Sequence, residues 1–228
     1  MKLNIDDIFW VITNYNTNPE ELIENIGESY CIYDKGIRGV PDYLQAKGKY
    51  KKTNNTGHNI SDYLDYIIEN YHSLPNRVGF VKGNIFPRHI SKENFFIRIK
   101  EEGFVPLYHE EKTFRPQFHR FFRWIFVSQH IAPGYYMELA NNWYCRKYKR
   151  GSFFPNLEGF MEYFLGMRKP KYITFVPGAC MIVTKENILR WPIEFYKELY
   201  RVVTYDFFPV EAYHAERCML YIFNYPKE

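Results

Sequence analysis

Three residues near the carboxyl end, Glu211, His214 and Glu216, have the types and spacing to handle a proton. The run Val210-Glu211-Ala212-Tyr213-His214-Ala215-Glu216-Arg217-Cys218-Met219-Leu220-Tyr221-Ile222-Phe223 predicts a closing helix. In it Glu216 precedes Met219 by three residues and Phe223 by seven, so it shares their inward face. A carboxylate there needs a partner, a ligand or a raised pKa. Glu211 and His214, spaced i, i+3, can act on one target. Two readings follow. Glu216 is a general base or substrate clamp, with Glu211 and His214 lining the site, or Glu216 is one half of an internal ion pair with an arginine from 115–150.

A second group of polar residues stands where apolar runs stop. Ile8-Phe9-Trp10-Val11-Ile12 ends in Thr13-Asn14-Tyr15-Asn16, Tyr30-Cys31-Ile32-Tyr33 ends in Asp34-Lys35-Gly36, and Arg77-Val78-Gly79-Phe80-Val81 ends in Lys82-Gly83-Asn84. Between the last two, Asn54-Asn55-Thr56-Gly57-His58-Asn59 leads into a helix with Leu64, Ile67, Ile68 and Tyr71 on one stripe. Asn59 is the expected N-cap, with Asp62 close to a capping-box position. Alternating strands and helices predict an α/β fold with a mostly parallel sheet. The ends of the parallel strands then lie on one side. Asn14, Tyr15, Asn16, Asp34, Lys35, Asn55, Gly57, Lys82 and Asn84 should converge there, at a helix N-terminus suited to an anion or a sugar hydroxyl.

The elements that must position these groups follow from the pattern of the chain. Strands are expected at 8–12, 30–33, 78–81 and 172–176, in one sheet, and helices from Pro19 to Ile26, Asn59 to Tyr71, Ser91 to Glu102, Leu157 to Leu165 and Lys185 onward. Residues 37–53 read as a basic loop over the sheet edge. In 109–150, Arg115, His119, Arg120 and Arg123 interleave with Phe114, Phe118, Phe121, Phe122 and Trp124, and Arg146, Lys147, Lys149 and Arg150 form a second basic cluster. Such mixing can track a nucleic-acid strand. A partly buried helix with snorkelling arginines accounts for it better, with one or two arginines reaching a phosphate.

Composition narrows the classes. At 228 residues with 46% hydrophobic and 25% charged, the chain reads as one globular domain. Aromatic residues make up 20%, which suits an aromatic-rich core and also stacking on sugars or bases. The net charge of +4 is too mild to demand nucleic acid. Cys31, Cys145, Cys180 and Cys218 lack metal-ligand spacing, and with no membrane-span-length apolar run and a charged start the expected location is cytoplasmic. Phosphate-binding P-loop, dinucleotide, zinc-protease and nucleophile-elbow motifs are missing.

Several runs resemble an uncharacterised family, a domain of unknown function found in fungi, bacteria and large viruses. They are Tyr33-Asp34-Lys35-Gly36, Asn55-x-Gly57, Tyr63-Leu64-x-Tyr66-Ile67, Asn70-Tyr71-x-x-Leu74-Pro75 and Phe80-Val81-Lys82-Gly83, then Gly178-Ala179, Ile182-Val183, Ile188, Pro192, Phe195-Tyr196 and Glu216-Arg217. That family in turn looks like nucleotide-sugar glycosyltransferases of the GT-A type. The resemblance implies a single GT-A-like, Rossmann-like α/β domain, its central, mostly parallel sheet flanked by helices. It also implies a nucleotide-binding half at about 1–90 and an acceptor-binding half at about 91–228. Thr13, Asn14, Tyr15 and Asp34 would lie near the nucleotide, and Glu216 would be a base or an acceptor contact. Metal-dependent members of that type carry Asp-x-Asp after the strand corresponding to 78–81. Here Lys82-Gly83-Asn84 stands there, so manganese or magnesium is not called for by motif. In the loop of His58-Asn59 the family commonly has an acidic residue. The expected activity is sugar transfer from a nucleotide diphosphate sugar to a glycan acceptor, with Lys82, Arg115, Arg120 or the 146–150 cluster opposing the leaving diphosphate. The rival is a non-enzymatic module that binds a glycan or single-stranded nucleic acid.

Overall fold

The computed structural model describes residues 7–47, 49–109, 113–119, 123–131, 133–146 and 153–224; at 46–47, 113–119, 123–128 and 146 it describes the backbone alone. In order the elements are β1 (Ile8–Asn14), α1 (Glu20–Ile26), β2 (Tyr30–Asp34), α2 (Asp42–Lys47), β3 (Lys49–Lys52), α3 (His58–Asn70), β4 (Arg77–Lys82), α4 (Lys92–Arg98), β5 (Val105–Pro106), β6 (Thr113–His119), β7 (Arg123–Ile131), β8 (Tyr135–Leu139), α5 (Leu157–Leu165), β9 (Tyr172–Phe175), β10 (Met181–Thr184), α6 (Lys185–Leu189), α7 (Ile193–Thr204) and α8 (Val210–Asn224).

The first sheet has six strands in the order β3-β2-β1-β4-β10-β5. β3, β2, β1 and β4 run parallel, with Asn14 opposite Asp34 and Thr13 opposite Lys82. β10 is antiparallel to both its neighbours. The apolar runs explain the centre: β1, β2 and β4 are buried on both faces, as a covered parallel sheet requires. Alternate side chains feed two cores. Ile8, Trp10 and Ile12 pack with Leu22, Ile26 and Phe95 of α1 and α4, while Val11 joins Leu64 and Ile67 of α3 and the buried stripes of α5, α7 and α8. This is the expected α/β arrangement of a mostly parallel sheet between helices.

Four sequence expectations are corrected. The strand at 172–176 does not join this sheet: β9 belongs to a second, antiparallel sheet in the order β6-β7-β8-β9. Its burial alternates, Ile173 and Phe175 in and Tyr172 and Thr174 half out, which is the pattern of a strand with one wet face. The continuously buried β10 takes the place beside β4 instead. Second, 37–53 is no plain loop, because its Lys-Tyr-Lys-Lys segment is the edge strand β3.

Third, the described part of 109–131 is a hairpin of β6 and β7 rather than a helix. Pro116 explains it, since a proline inside a helix breaks it by about 3 kcal/mol, whereas the register shift between Arg115 and Pro116 is a bulge that tolerates one. The cluster at 147–150 lies outside the described residues. Last, Gly57 in the left-handed conformation, not Asn59, is the N-cap of α3, and no side chain caps that end. A Cβ at Gly57 would come within 2.7 Å of the Val203 carbonyl, so only glycine lets the head of α3 sit against α7. Among the described residues no helix is long and apolar enough to cross a membrane.

Candidate functional site

The chain leaves β1 to build β2 and β3 on one side, then returns to place β4 on the other. A cavity of about 310 Å³ opens at the carboxyl ends of these strands, where the order reverses. It is lined by Thr13, Tyr15, Thr17, Lys35, Asn55, His58, Asn59, Lys82, Asn84, Arg88 and Phe208. Six residues expected at a donor site, Thr13, Tyr15, Lys35, Asn55, Lys82 and Asn84, are therefore brought together. Asn14, Asp34 and Gly57 stand behind them rather than on the wall.

Asn14 and Asp34 hold the loops. Asp34 is fully buried, and its Oδ1 accepts from Asn14 Nδ2 (3.1 Å) and the Gly36 N–H (3.1 Å). Its Oδ2 accepts from Tyr50 Oη (3.0 Å) and Lys52 Nζ (2.8 Å). Burial pushes this carboxyl up, and the four donors outweigh it and hold it below its ordinary value. Lys35 is also committed within the protein. Its Nζ donates to the carbonyls of Asn54 and Thr56 (both 2.9 Å) and to Ser61 Oγ (2.8 Å), and pairs with Asp62 Oδ1 (3.0 Å). It thereby fixes the 54–57 loop that forms one wall. Lys82 and Arg88 are different, since neither takes part in an ion pair with another described residue. The positive charge that faces the cavity is theirs, next to the uncapped N-terminus of α3. Of Arg115 only the backbone in β6 is described, and Arg120 lies outside the described residues.

The three carboxyl-terminal candidates part company. Glu211 and His214 do act on one target, and it is the backbone of Phe154. Glu211 Oε1 accepts from the Phe154 N–H (2.9 Å) and its Oε2 from Tyr205 Oη (3.0 Å). His214 Nε2 donates to the Phe154 carbonyl (3.0 Å), so its Nδ1 is the acceptor for Tyr144 Oη (2.9 Å). Both side chains are fully buried. Glu216 is partly exposed, and its Oε1 accepts from the Gly178 N–H at 2.5 Å. Arg217 stands 3.9 Å from its Oε2. Gly178, left-handed at φ 77°, lies in the link between β9 and β10. Its carbonyl accepts from Asn59 Nδ2 (2.9 Å), and the His89 ring fills the space where a Cβ would go. Glu216 is thus held beside the head of α3, near enough for its charge to favour protonation of His58.

Thr17, His58, Asn59, Arg88 and Phe208 are the lining residues that sequence reasoning missed as site residues. Arg88 had a weak signal: it follows the strand end at Lys82 by six residues, beyond the apolar Ile85-Phe86-Pro87. Phe208 had none, being a loop aromatic among 20 phenylalanines. Among the described residues no carboxylate lines the cavity, and no group of three His, Cys, Asp or Glu could hold a metal ion. A divalent ion demands oxygen donors of that kind. The described lining, with Lys35, Lys82 and Arg88 in it, does not fit one.

Three histidines, His89 and His214 buried and His58 half-buried, are kept neutral. Burial lowers His214 to about 4, and lowers His89 to about 3 with help from Lys82, Arg88 and His109. It lowers His58 to about 4 with help from Lys82 and Lys35, against Glu216. Unfolding frees all three to take protons between their folded values and about 6.5. Asp62, raised by burial to about 6 against the pull of Lys35, releases a proton on unfolding in part of that window and runs the other way. The histidines outnumber it, so stability falls as pH drops from about 6.5 toward 4, with uptake of about two protons near pH 5. Urea unfolding at pH 5, 6 and 7 should give that slope, and His214→Gln should reduce it by about one proton. A slope unchanged in the variant would mean that His214 is charged in the fold.

Residues 2–225 match the profile of a family described as a protein of unknown function, DUF3431. The chain belongs to the DUF3431 family. Comparison with curated proteins and with solved structures gave no match. The match spans both sheets and every described element of this DUF3431 chain.

Proposed function

We propose that this chain is a glycosyltransferase that moves a sugar from a nucleotide diphosphate sugar to a glycan acceptor, with a GT-A-like arrangement of its parallel strands. One observation carries the reading: the cavity at the β1/β4 reversal joins two cations that pair with no other described residue and an uncapped helix N-terminus to a wall of hydroxyl, amide and aromatic groups. A diphosphate fits the first part and a nucleoside or sugar the second. In the transfer, the acceptor oxygen bonds to the anomeric carbon as the bond to the diphosphate oxygen breaks. The diphosphate leaves with the electron pair, opposed by Lys82 and Arg88. Glu216, which is not on the cavity wall but stands beside it near His58, takes the hydroxyl proton.

A thermal-shift screen of uridine and guanosine diphosphates and their sugars, with and without manganese, tests the reading directly. Binding raises the melting temperature by mass action. Arg88→Ala, at an exposed position, should leave the melting temperature of the free protein unchanged and weaken diphosphate binding by about tenfold. No shift with any nucleotide, together with steeply salt-dependent binding to oligonucleotides, would favour the nucleic-acid module instead.

A further inference from the structure

His58 is the first residue of α3 and lies on the cavity wall. Its backbone is left-handed, φ 52°, directly after left-handed Gly57. That pair of conformations turns the side chain at the helix head toward the space between the strand ends and α8. There the ring is clamped, with Phe208 at 5.0 Å and Tyr213 at 4.9 Å between ring centres. Yet Nε2 is buried and has no hydrogen-bond partner among the described residues. The contrast with His214 is direct: the buried His214 imidazole spends both nitrogens on the protein, and the half-buried His58 leaves a buried Nε2 unmatched among the described residues. A buried nitrogen without a partner costs about 1–3 kcal/mol, and such groups call for an explanation. Phe208 supplies part of it. It lines the same cavity, is 41% exposed, and sits with Phe207 at the mouth, their rings edge to face at 4.2 Å.

We infer that His58 and Phe208 together form the subsite for the sugar of the donor, a hydroxyl filling the empty hydrogen-bonding position on the imidazole while the apolar face of the ring lies on Phe208. This rests on the donor reading above and adds to it the group that tells a nucleotide sugar from a bare nucleotide. Its chemistry suits a neutral polyol. Burial, helped by Lys82 and Lys35 and opposed by Glu216, keeps the imidazole uncharged, so it both donates and accepts as a sugar hydroxyl does. The cations that would take the diphosphate, Lys82 and Arg88, are other residues of the same wall, so the two recognitions can be separated by mutation.

The test is calorimetric titration of the full chain and of His58→Asn with UDP, GDP, UDP-glucose and GDP-mannose. Asparagine accepts the left-handed conformation, so the variant keeps the backbone. The expected result is a nucleotide diphosphate Kd unchanged within about twofold and a nucleotide-sugar Kd weakened about tenfold. Phe208→Ala, on an exposed loop, should give the same split. Equal weakening of both ligand types, or of neither, in both variants would overturn the subsite while leaving the nucleotide reading in place. Absence of binding of all four by the unaltered protein would remove the donor reading, and the subsite with it.

Discussion

Glu216→Gln is expected to lower the rate of sugar transfer by about 100-fold or more and to leave the stability of the fold within about 1 kcal/mol. The contact that positions this side chain explains both halves. Glu216 Oε1 accepts from the Gly178 N–H, and a glutamine oxygen accepts the same bond. The amide keeps shape and placement but cannot take a proton from an acceptor hydroxyl. Donor affinity should barely move, since the cations that face the diphosphate are Lys82 and Arg88. Melting temperature, donor Kd and transfer rate, measured side by side, decide the matter. A large fall in melting temperature with retained specific activity would make Glu216 a structural clamp on Gly178 and send the search for the base elsewhere.

The next residue should behave in the opposite way. Arg217→Ala is expected to cost about 3–5 kcal/mol of stability. Arg217 is 4% exposed and its Nε donates to Glu138 Oε1 at 2.7 Å. Its guanidinium lies 4.0 Å from the centre of the Tyr144 ring and 4.8 Å from that of Phe175. Glu138 is on β8 and is itself buried, so the pair fastens the second sheet to α8. Truncation leaves that carboxylate with Trp143 Nε1 as its remaining donor. Lysine should not rescue, because it lacks the planar fork that stacks between rings. Urea unfolding gives the number. A loss below about 1 kcal/mol would show that Glu138 reaches water once the arginine is gone.

The adjacency of these two residues marks what sequence could and could not supply. Helical phase put Glu211, His214 and Glu216 on α8, and their spacing said which share a target. It could not say that the shared target of Glu211 and His214 is the peptide of Phe154, because the partner lies 57 and 60 residues away along the chain. The strand ends were legible for the opposite reason. β1, β2 and β4 are continuous apolar runs, and parallel topology alone gathers their ends, so most of the cavity wall followed from pattern. β3 was not legible: an edge strand of Lys-Tyr-Lys-Lys carries no apolar periodicity. β6 and β7 misled because Phe114, Phe118 and Phe122 recur at i, i+4 as well as falling on alternate positions, and Pro116 was the discriminating residue. Assignment of β9 to a second sheet depended on long-range pairing that local pattern does not encode.

The two borders of the six-stranded sheet have a bearing on how the protein survives crowding. One border is β3, four residues with lysine at three of them, and the other is β5, two residues of which one is proline. An open β edge is a template on which a stray extended chain can polymerise. Here charge repels such a chain at one border, and brevity and a missing N–H refuse it at the other. The apolar strands at the centre of this sheet, which in a flat exposed sheet would invite fibres, are thereby kept behind edges that do not propagate.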